Sequence, residues 1–212
     1  MSNPDLKRRG MMVVLSSPSG AGKTTLTKKI RETDASIRTS ISYTTRPRRP
    51  AEANGVDYYF VEKEEFEEMI SSEKFVEYAS VFGNFYGTPK KQVEQNLEQG
   101  TDLLFDIDWQ GTRQLKSFSN KDIVSIFILP PSIAELGKRL RNRNQDSEEV
   151  LLSRMKKSTQ EISHWDEYDY VIINQDVEES LQQIQGIITA ERLKRNRNLQ
   201  LQSFVDNLLA EG

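Results

Sequence analysis

The sequence predicts an α/β protein: a parallel-sheet core flanked by helices, an inserted mostly-β lobe, and a helical lid. Three observations predict it. Short apolar runs alternate with segments of helical spacing, the pattern of parallel strands joined by helices. Between residues 40 and 88 that alternation fails, and several extended stretches follow one another. Between 132 and 165 the chain turns helical and rich in arginine.

Residues 11–16 contain the apolar run Met11-Met12-Val13-Val14-Leu15 and read as a buried strand. Residues 23–32 read as the helix that follows, with Leu26 and Ile30 one turn apart. The alternating, β-branched stretch 39–45 is extended. Arg46-Pro47-Arg48-Arg49-Pro50 cannot be helical, because each proline restricts the residue before it. Asn54-Gly55 marks a turn, and 58–61 a strand. Phe66, Met69 and Ile70 stand at i, i+3, i+4 and predict an amphipathic helix over 63–72. Residues 75–82 are extended again, and Phe85-Tyr86-Gly87-Thr88-Pro89 ends them. There Thr88 can cap a helix with Pro89 in its first position, and Gly100 closes that helix.

Residues 102–108 form an apolar strand that ends in Asp106 and Asp108, and 109–117 a short helix. The near-continuous apolar run 123–129 suits a central parallel strand, stopped by Pro130-Pro131. Ser132-Ile133-Ala134-Glu135 is a capping box, and Leu136 and Leu140 extend that helix's apolar face. Asp146-Ser147-Glu148-Glu149 opens a second lid helix that runs to about Ser163. Residues 170–173 are the last strand, and 176–194 a long amphipathic helix. A polar tail, 195–212, has a late helical pattern at Leu201, Phe204, Val205 and Leu208. Residues 1–10 read as a loose leader, with basic targeting by Lys7-Arg8-Arg9 the weaker alternative.

A chain of 212 residues suffices for one domain with a substantial core. Its 36% hydrophobic and 29% charged residues predict a soluble globular class. A net charge of −3 argues against a protein that coats nucleic acid. Without cysteine there is neither a disulfide frame nor a thiolate metal site. No run approaches the length of a membrane span. The expectation is a cytoplasmic monomer or small homo-oligomer.

The stretch from Ser16 to Thr25 organises the chain. An apolar strand, a glycine loop and a helix in that order make a phosphate-binding loop. Its glycines let backbone N–H groups surround an anion, and the helix presents its positive end to it. Lys23 can then reach the β- and γ-phosphates of a nucleotide, and Thr24 can offer a hydroxyl to Mg²⁺. Ser17 stands where the strict pattern has its first glycine, and so calls for an unusual backbone angle or a slightly different loop. Asp106 and Asp108 resemble the acids that hold Mg²⁺ directly or through water beside such a loop. Arg46, Arg48 and Arg49 in the lobe, and Arg139, Arg141, Arg143 and Arg154 in the lid, form a basic set. Arginine forks suit phosphate oxygens, and Arg139 and Arg143 share one helical face; Arg48 and Arg141 read rather as solvated charge. Ser42, Tyr58, Tyr86 and Thr88 gather hydroxyls around Glu77. A carboxylate accepts two N–H groups from one edge of guanine. Tyr58 and Tyr59 alternate faces, so one of them should meet the lobe's cleft.

Ser19-Gly20-Ala21-Gly22-Lys23-Thr24, Ser42 to Arg49, Asn54 to Tyr58, Tyr86-Gly87-Thr88 and Asp106 to Gly111 together resemble guanylate kinases. The resemblance continues through Arg139–Arg143, Asp146 to Glu149 and Arg154 to Ile172-Ile173-Asn174, over about residues 11–190. It implies a P-loop core (11–39, 89–131, 166–194), a GMP-binding lobe (40–88) and a lid (132–165). It also implies phosphoryl transfer from ATP to GMP with Mg²⁺, a supply route for guanine nucleotides. The implied ATP site is Ser17, Pro18, Ser19, Gly20, Ala21, Gly22, Lys23, Thr24, Thr25 and Asn174. The implied GMP site is Ser42, Arg46, Arg49, Tyr58, Glu77, Tyr86, Thr88 and Asp106. Lys23, Arg139, Arg143 and Arg154 are the implied catalytic cations, and Thr24, Asp106 and Asp108 the implied metal ligands. Asn144 departs from the family's usual glycine after Arg143. His164 matches no motif and is expected to be structural or at the surface. A non-catalytic guanylate-kinase-like interaction module, or a kinase for another monophosphate, are the competing readings.

Overall fold

The computed structural model describes residues 7–81, 83–143 and 148–211, with the backbone alone for Asn142 and Arg143. The central strand, β1 (Met12–Ser16), is buried throughout. Its side chains alternate between two apolar layers. Val13 and Leu15 pack with Leu26 and Ile30 of α1 (Lys23–Thr33) and with Leu181, Ile184 and Ile188 of α7 (Val177–Arg192). Met12 and Val14 pack with Val93 and Leu97 of α3 (Lys90–Glu98) and Leu115 of α4 (Trp109–Ser119). A strand covered on both faces has no use for polar alternation, which is why its sequence is one apolar run.

β2 (Ile37–Arg38), β7 (Asp102–Asp106), β8 (Ile123–Leu129) and β9 (Tyr170–Ile173) complete this sheet in the order β2-β7-β1-β8-β9, every pair parallel. The strand order reverses direction at β1, so the crevice beyond the carboxyl ends of β1 and β7 is where such a sheet receives a ligand.

The lobe is a second sheet, β4-β3-β6-β5, made of β3 (Tyr43–Thr44), β4 (Tyr59–Phe60), β5 (Phe75–Val81) and β6 (Asn84–Pro89). Helix α2 (Lys63–Ser71) covers it, with Phe66 stacked on Phe75 and Phe85. Of the expected extended stretch over 39–45 only Tyr43–Thr44 is strand, pairing with Tyr59 and Gly87 in the lobe; β2, where Ile37 pairs with Asp102 in the core, lies just before it. The expected break at Phe85 is instead the second arm of a hairpin, with Gly83 at φ 79° in its turn. Thr88 does not cap α3. Pro89 holds that position without a side-chain cap, and the Thr88 hydroxyl turns into the lobe.

The lid comprises α5 (Ile133–Arg143) and α6 (Glu148–Ile162), joined through Leu136, Leu140, Leu151 and Met155. Ser132 Oγ accepts the Glu135 N–H at 3.1 Å, one half of the expected capping box. The Glu135 carboxylate pairs with Arg139 instead of closing the other half. Asp146, Ser147 and the Asn144 departure lie outside the described residues. From Lys7 onward the expected loose leader is tied down. Arg8 forms two bonds to Asp102 (2.6 and 2.9 Å), and Arg9 two to Asp122 (both 2.9 Å). Asp102 is wholly buried and also receives Arg192 Nε at 2.7 Å and the Met11 N–H at 3.0 Å. A buried carboxylate needs such compensation, and basic residues on both flanks of the core supply it. The late helical pattern is α8 (Leu201–Glu211). Among the described residues no helix is long and apolar enough to cross a membrane.

Candidate functional site

β1 delivers the chain into the loop 17–22, and α1 starts at Lys23. The left-handed backbone angles fall at Gly20 (φ 90°) and Gly22 (φ 101°); Ser17 needs none. No side chain caps α1, so its first-turn N–H groups remain aimed at whatever occupies the loop. A Cβ at Gly22 would collide with the Asn174 amide, and one at Gly20 would press on Leu136 and Leu140 of the lid. Ser17, Pro18, Ser19, Gly20, Gly22, Lys23, Thr24, Thr25, Asp106, Asp108, Arg139 and Glu161 line a cleft of about 580 Å³. Lys23 Nζ is ion-paired with Asp106 and lies 3.5 Å from the Ile107 carbonyl oxygen. Asp108 Oδ1 caps α4, accepting the N–H groups of Gln110 (2.9 Å) and Gly111 (3.1 Å). That bond fixes the carboxylate's orientation at the cleft's edge.

In the lobe, a register shift between Phe75 and Glu77 makes Val76 and Glu77 both buried. The bulge thus aims a carboxylate inward from a strand that would otherwise present it outward. Glu77 is 7% exposed. Thr88 Oγ1 donates to its Oε1 at 2.5 Å. With that proton committed, Ser42 Oγ is the donor in its 3.4 Å contact with Thr88. Burial pushes the Glu77 carboxyl above its ordinary range; the Thr88 bond opposes this, and the charge of Asp108 adds to it. Tyr58 and Tyr86 meet edge to face at 5.9 Å, and Arg46 lies over the Tyr58 ring at 5.6 Å. Tyr59 stacks on Tyr43 instead. Arg46 Nη2 is held by Glu52 at 2.7 Å, and the Arg49 N–H by the other Glu52 oxygen at 2.9 Å. Arg46 in turn keeps the Glu52 carboxyl below its ordinary range.

An anion loop over a cleft and a buried carboxylate among hydroxyls and tyrosines therefore sit in one chain. The guanylate kinase family model matches residues 9–191. The chain belongs to the guanylate kinase family. A guanylate kinase of Paramagnetospirillum magneticum is 52% identical over 205 residues, covering 97% of this chain and 96% of that protein. One from Cereibacter sphaeroides is 54% identical over 207 residues, covering 97% and 98%. The crystal structure of guanylate kinase from Anaplasma phagocytophilum aligns with a TM-score of 0.73 at 41% identity, over 95% of this chain and 96% of that one.

The remaining residues expected at a guanylate kinase site lie as follows. Asn174 is 1% exposed and stands behind the loop, its Nδ2 donating to the Ala21 carbonyl at 2.7 Å and its Oδ1 accepting from Ser180. It shapes the loop and does not line the cleft. Ala21 is likewise wholly buried. Asp106 stands in the phosphate cleft against Lys23. Arg139 lines the cleft, with its guanidinium 3.4–3.5 Å from the Asn174 carbonyl. Arg154 is half-buried on α6, and the side chain of Arg143 lies outside the described residues. His164 stacks on Trp109 at 3.9 Å with Nδ1 2.7 Å from Glu167, a structural place as expected.

Sequence reasoning missed Glu161. Its Oε2 accepts the Ser19 N–H of the loop at 3.1 Å, and burial raises its carboxyl above the ordinary range. Nothing in the sequence separates it from the other acids of α6; folding alone brings it to the loop. Glu52 was missed too, though an acid close behind an arginine run was its only available signal.

Proposed function

We propose that the protein transfers the γ-phosphoryl group of ATP to GMP, releasing ADP and GDP. The observation that carries this reading is an intact Gly22-Lys23-Thr24 at an uncapped helix start, in a chain that matches guanylate kinases along nearly its whole length. The same feature argues against a non-catalytic module. ATP takes the loop cleft, with its phosphates on the loop's N–H groups and on Lys23. GMP takes the lobe, with its phosphate toward Arg46, Arg49, Tyr58 and Tyr86 and its base edge on Glu77, Ser42 and Thr88.

A phosphate oxygen of GMP attacks the γ-phosphorus in line, and the bond to the β–γ bridging oxygen breaks. The attacking oxygen is ionised at neutral pH, so no general base is needed. The protein's work is positioning and charge stabilisation. Thr24, Asp106 and Asp108 are hard oxygen donors at one cleft, which suits magnesium, an ion that takes few protein ligands beside water and phosphate. Bound there, magnesium would neutralise charge on the phosphates. Lys23 exchanges Asp106 for phosphate, and Arg139 swings from the Asn174 carbonyl toward the transferring group as the lid closes.

A coupled assay for ADP with GMP, dGMP, AMP, CMP and UMP tests the substrate. Turnover confined to guanine nucleotides is expected. Equal use of AMP would end the guanine assignment, and no turnover with any acceptor would favour the interaction module. Arg154→Ala is expected to lower kcat more than it raises the KM for GMP, because lid arginines meet the phosphoryl group only on closure. Steady-state kinetics checks it; a change in KM alone would move Arg154 to ground-state binding.

A further inference from the structure

Ser16, Thr112 and Tyr168 are 1%, 2% and 8% exposed, and their hydroxyls meet behind the carboxylate end of β7. Each comes from a different part of the core. Ser16 ends β1, Thr112 is on the first turn of α4, and Tyr168 follows the short helix Trp165–Glu167 where the lid's second helix returns. Ser16 Oγ donates to the Ile107 carbonyl at 2.7 Å, and Thr112 Oγ1 to the Asp108 carbonyl at 2.8 Å. Thr112 Oγ1 also lies 3.3 Å from Ser16 Oγ and 3.2 Å from the Tyr168 hydroxyl oxygen.

Each hydroxyl owns one proton. The protons of Ser16 and Thr112 are spent on carbonyls, which can only accept. The contact between Thr112 and Tyr168 therefore requires the phenol to donate. Burial raises the phenol's pKa and keeps it protonated for that role. The two carbonyls belong to consecutive peptides, 107–108 and 108–109; the Asp108 carbonyl also accepts the Thr112 N–H at 3.0 Å, and the Ile107 carbonyl faces Lys23 Nζ. The backbone between Asp106 and Asp108 is thus held by two side chains, Ser16 and Thr112, with Tyr168 behind Thr112.

We propose that Tyr168 is a positioning residue, the donor to Thr112 in a buried cluster of the Ser16, Thr112 and Tyr168 hydroxyls that sets Asp106 and Asp108 against the phosphate loop. The proposal rests on the reading of that cleft as the site of magnesium nucleotide. Its consequence is specific. Loss of the phenol proton leaves Thr112 Oγ1 without its donor; the Thr112 proton can then turn to Ser16 Oγ, which leaves the Asp108 carbonyl to the Thr112 N–H alone. The carboxylates then meet the cation less well, while the GMP lobe is untouched.

Tyr168→Phe keeps the ring that packs on Phe127 at 4.9 Å, so the fold should tolerate it. Expected results are a Tm within a few degrees of wild type, an unchanged KM for GMP, and a kcat lower by about tenfold, the scale of one lost hydrogen bond. The binding readout is a fluorescent ADP analogue titrated with and without Mg²⁺. The tightening that Mg²⁺ brings should shrink several-fold in Tyr168→Phe. Thr112→Val breaks the same cluster, so the double variant should lose little more than either single one. A Mg²⁺ effect in wild type that Tyr168→Phe leaves intact overturns the proposal, as do additive losses in the double variant. A wild type whose ADP affinity ignores Mg²⁺ overturns the cleft reading itself, and the proposal with it.

Discussion

Lys23→Met is expected to lower kcat by a factor on the order of 10²–10³ while leaving the fold in place. The ammonium is the cation built into the loop, at the first residue of α1. Its two contacts in the free protein, the Asp106 carboxylate and the Ile107 carbonyl, both lie at the end of β7. Neither bears weight in the core, whose apolar layers lie on the two faces of β1. Removing the cation leaves Asp106 half-exposed to water, and so costs little stability. In the reaction the loss is of another order. Charge develops on the transferring group in a cleft from which water is excluded, and one preorganised contact there contributes about 3–4 kcal/mol, or a factor on the order of 10²–10³ in kcat. Methionine keeps the length and the apolar stem but not the charge. The check is single-turnover kinetics beside a thermal melt. A folded variant with near-normal turnover would remove the phosphate loop from the mechanism.

What the sequence made legible at this site is what the chain encodes locally. An apolar run, two glycines with left-handed angles, a lysine and a helix start occupy consecutive residues, so β1, the loop and α1 can be read without knowing the rest. The parallel core was legible for the same reason, since a strand buried on both faces reads as one apolar run. The residues missed or misplaced are joined across long stretches of chain. Asn174 reaches the loop over 153 residues, Glu161 over 142, and Arg8 reaches Asp102 over 94. Neither periodicity nor composition reports such pairings. Thr88 shows a local rule losing to a tertiary one. Its place before Pro89 favours a helix cap, but register opposite Glu77 gives its hydroxyl a buried carboxylate to satisfy. An unpaired buried carboxylate is the costlier fault, so the cap yields.

That buried carboxylate gives the second large expectation: Glu77→Gln should lose most GMP use and yet stabilise the free protein. Guanine offers N1–H and N2–H₂ on one edge, both donors. A carboxylate accepts both, while an amide accepts one and turns its own NH₂ against the other. The charge-assisted bond and the mismatch together amount to about 1.5–3 kcal/mol or more, so kcat/KM for GMP should fall by at least about tenfold to a hundredfold. Wild type should reject AMP by a factor on the order of 10⁴, because adenine leaves the carboxylate without a donor. In the free protein the Thr88 hydroxyl is the hydrogen-bond partner of Glu77 among the described residues, and burial holds its pKa above the ordinary 4.5. Between the ordinary value and the raised one, the folded chain keeps a proton that the unfolded chain has released. Stability therefore falls as pH rises through that window. Glutamine does not titrate, so the variant should melt higher than wild type near pH 7, and the gap should close toward pH 4. GMP should reverse the order, since its donors favour the carboxylate and bind only the folded state. Thermal melts from pH 4 to 8, with and without GMP, read both effects alongside kinetics with GMP and AMP. A variant with unchanged GMP kinetics, and a melt raised by GMP as much as wild type, would take Glu77 out of the base-reading site and reopen the choice of acceptor.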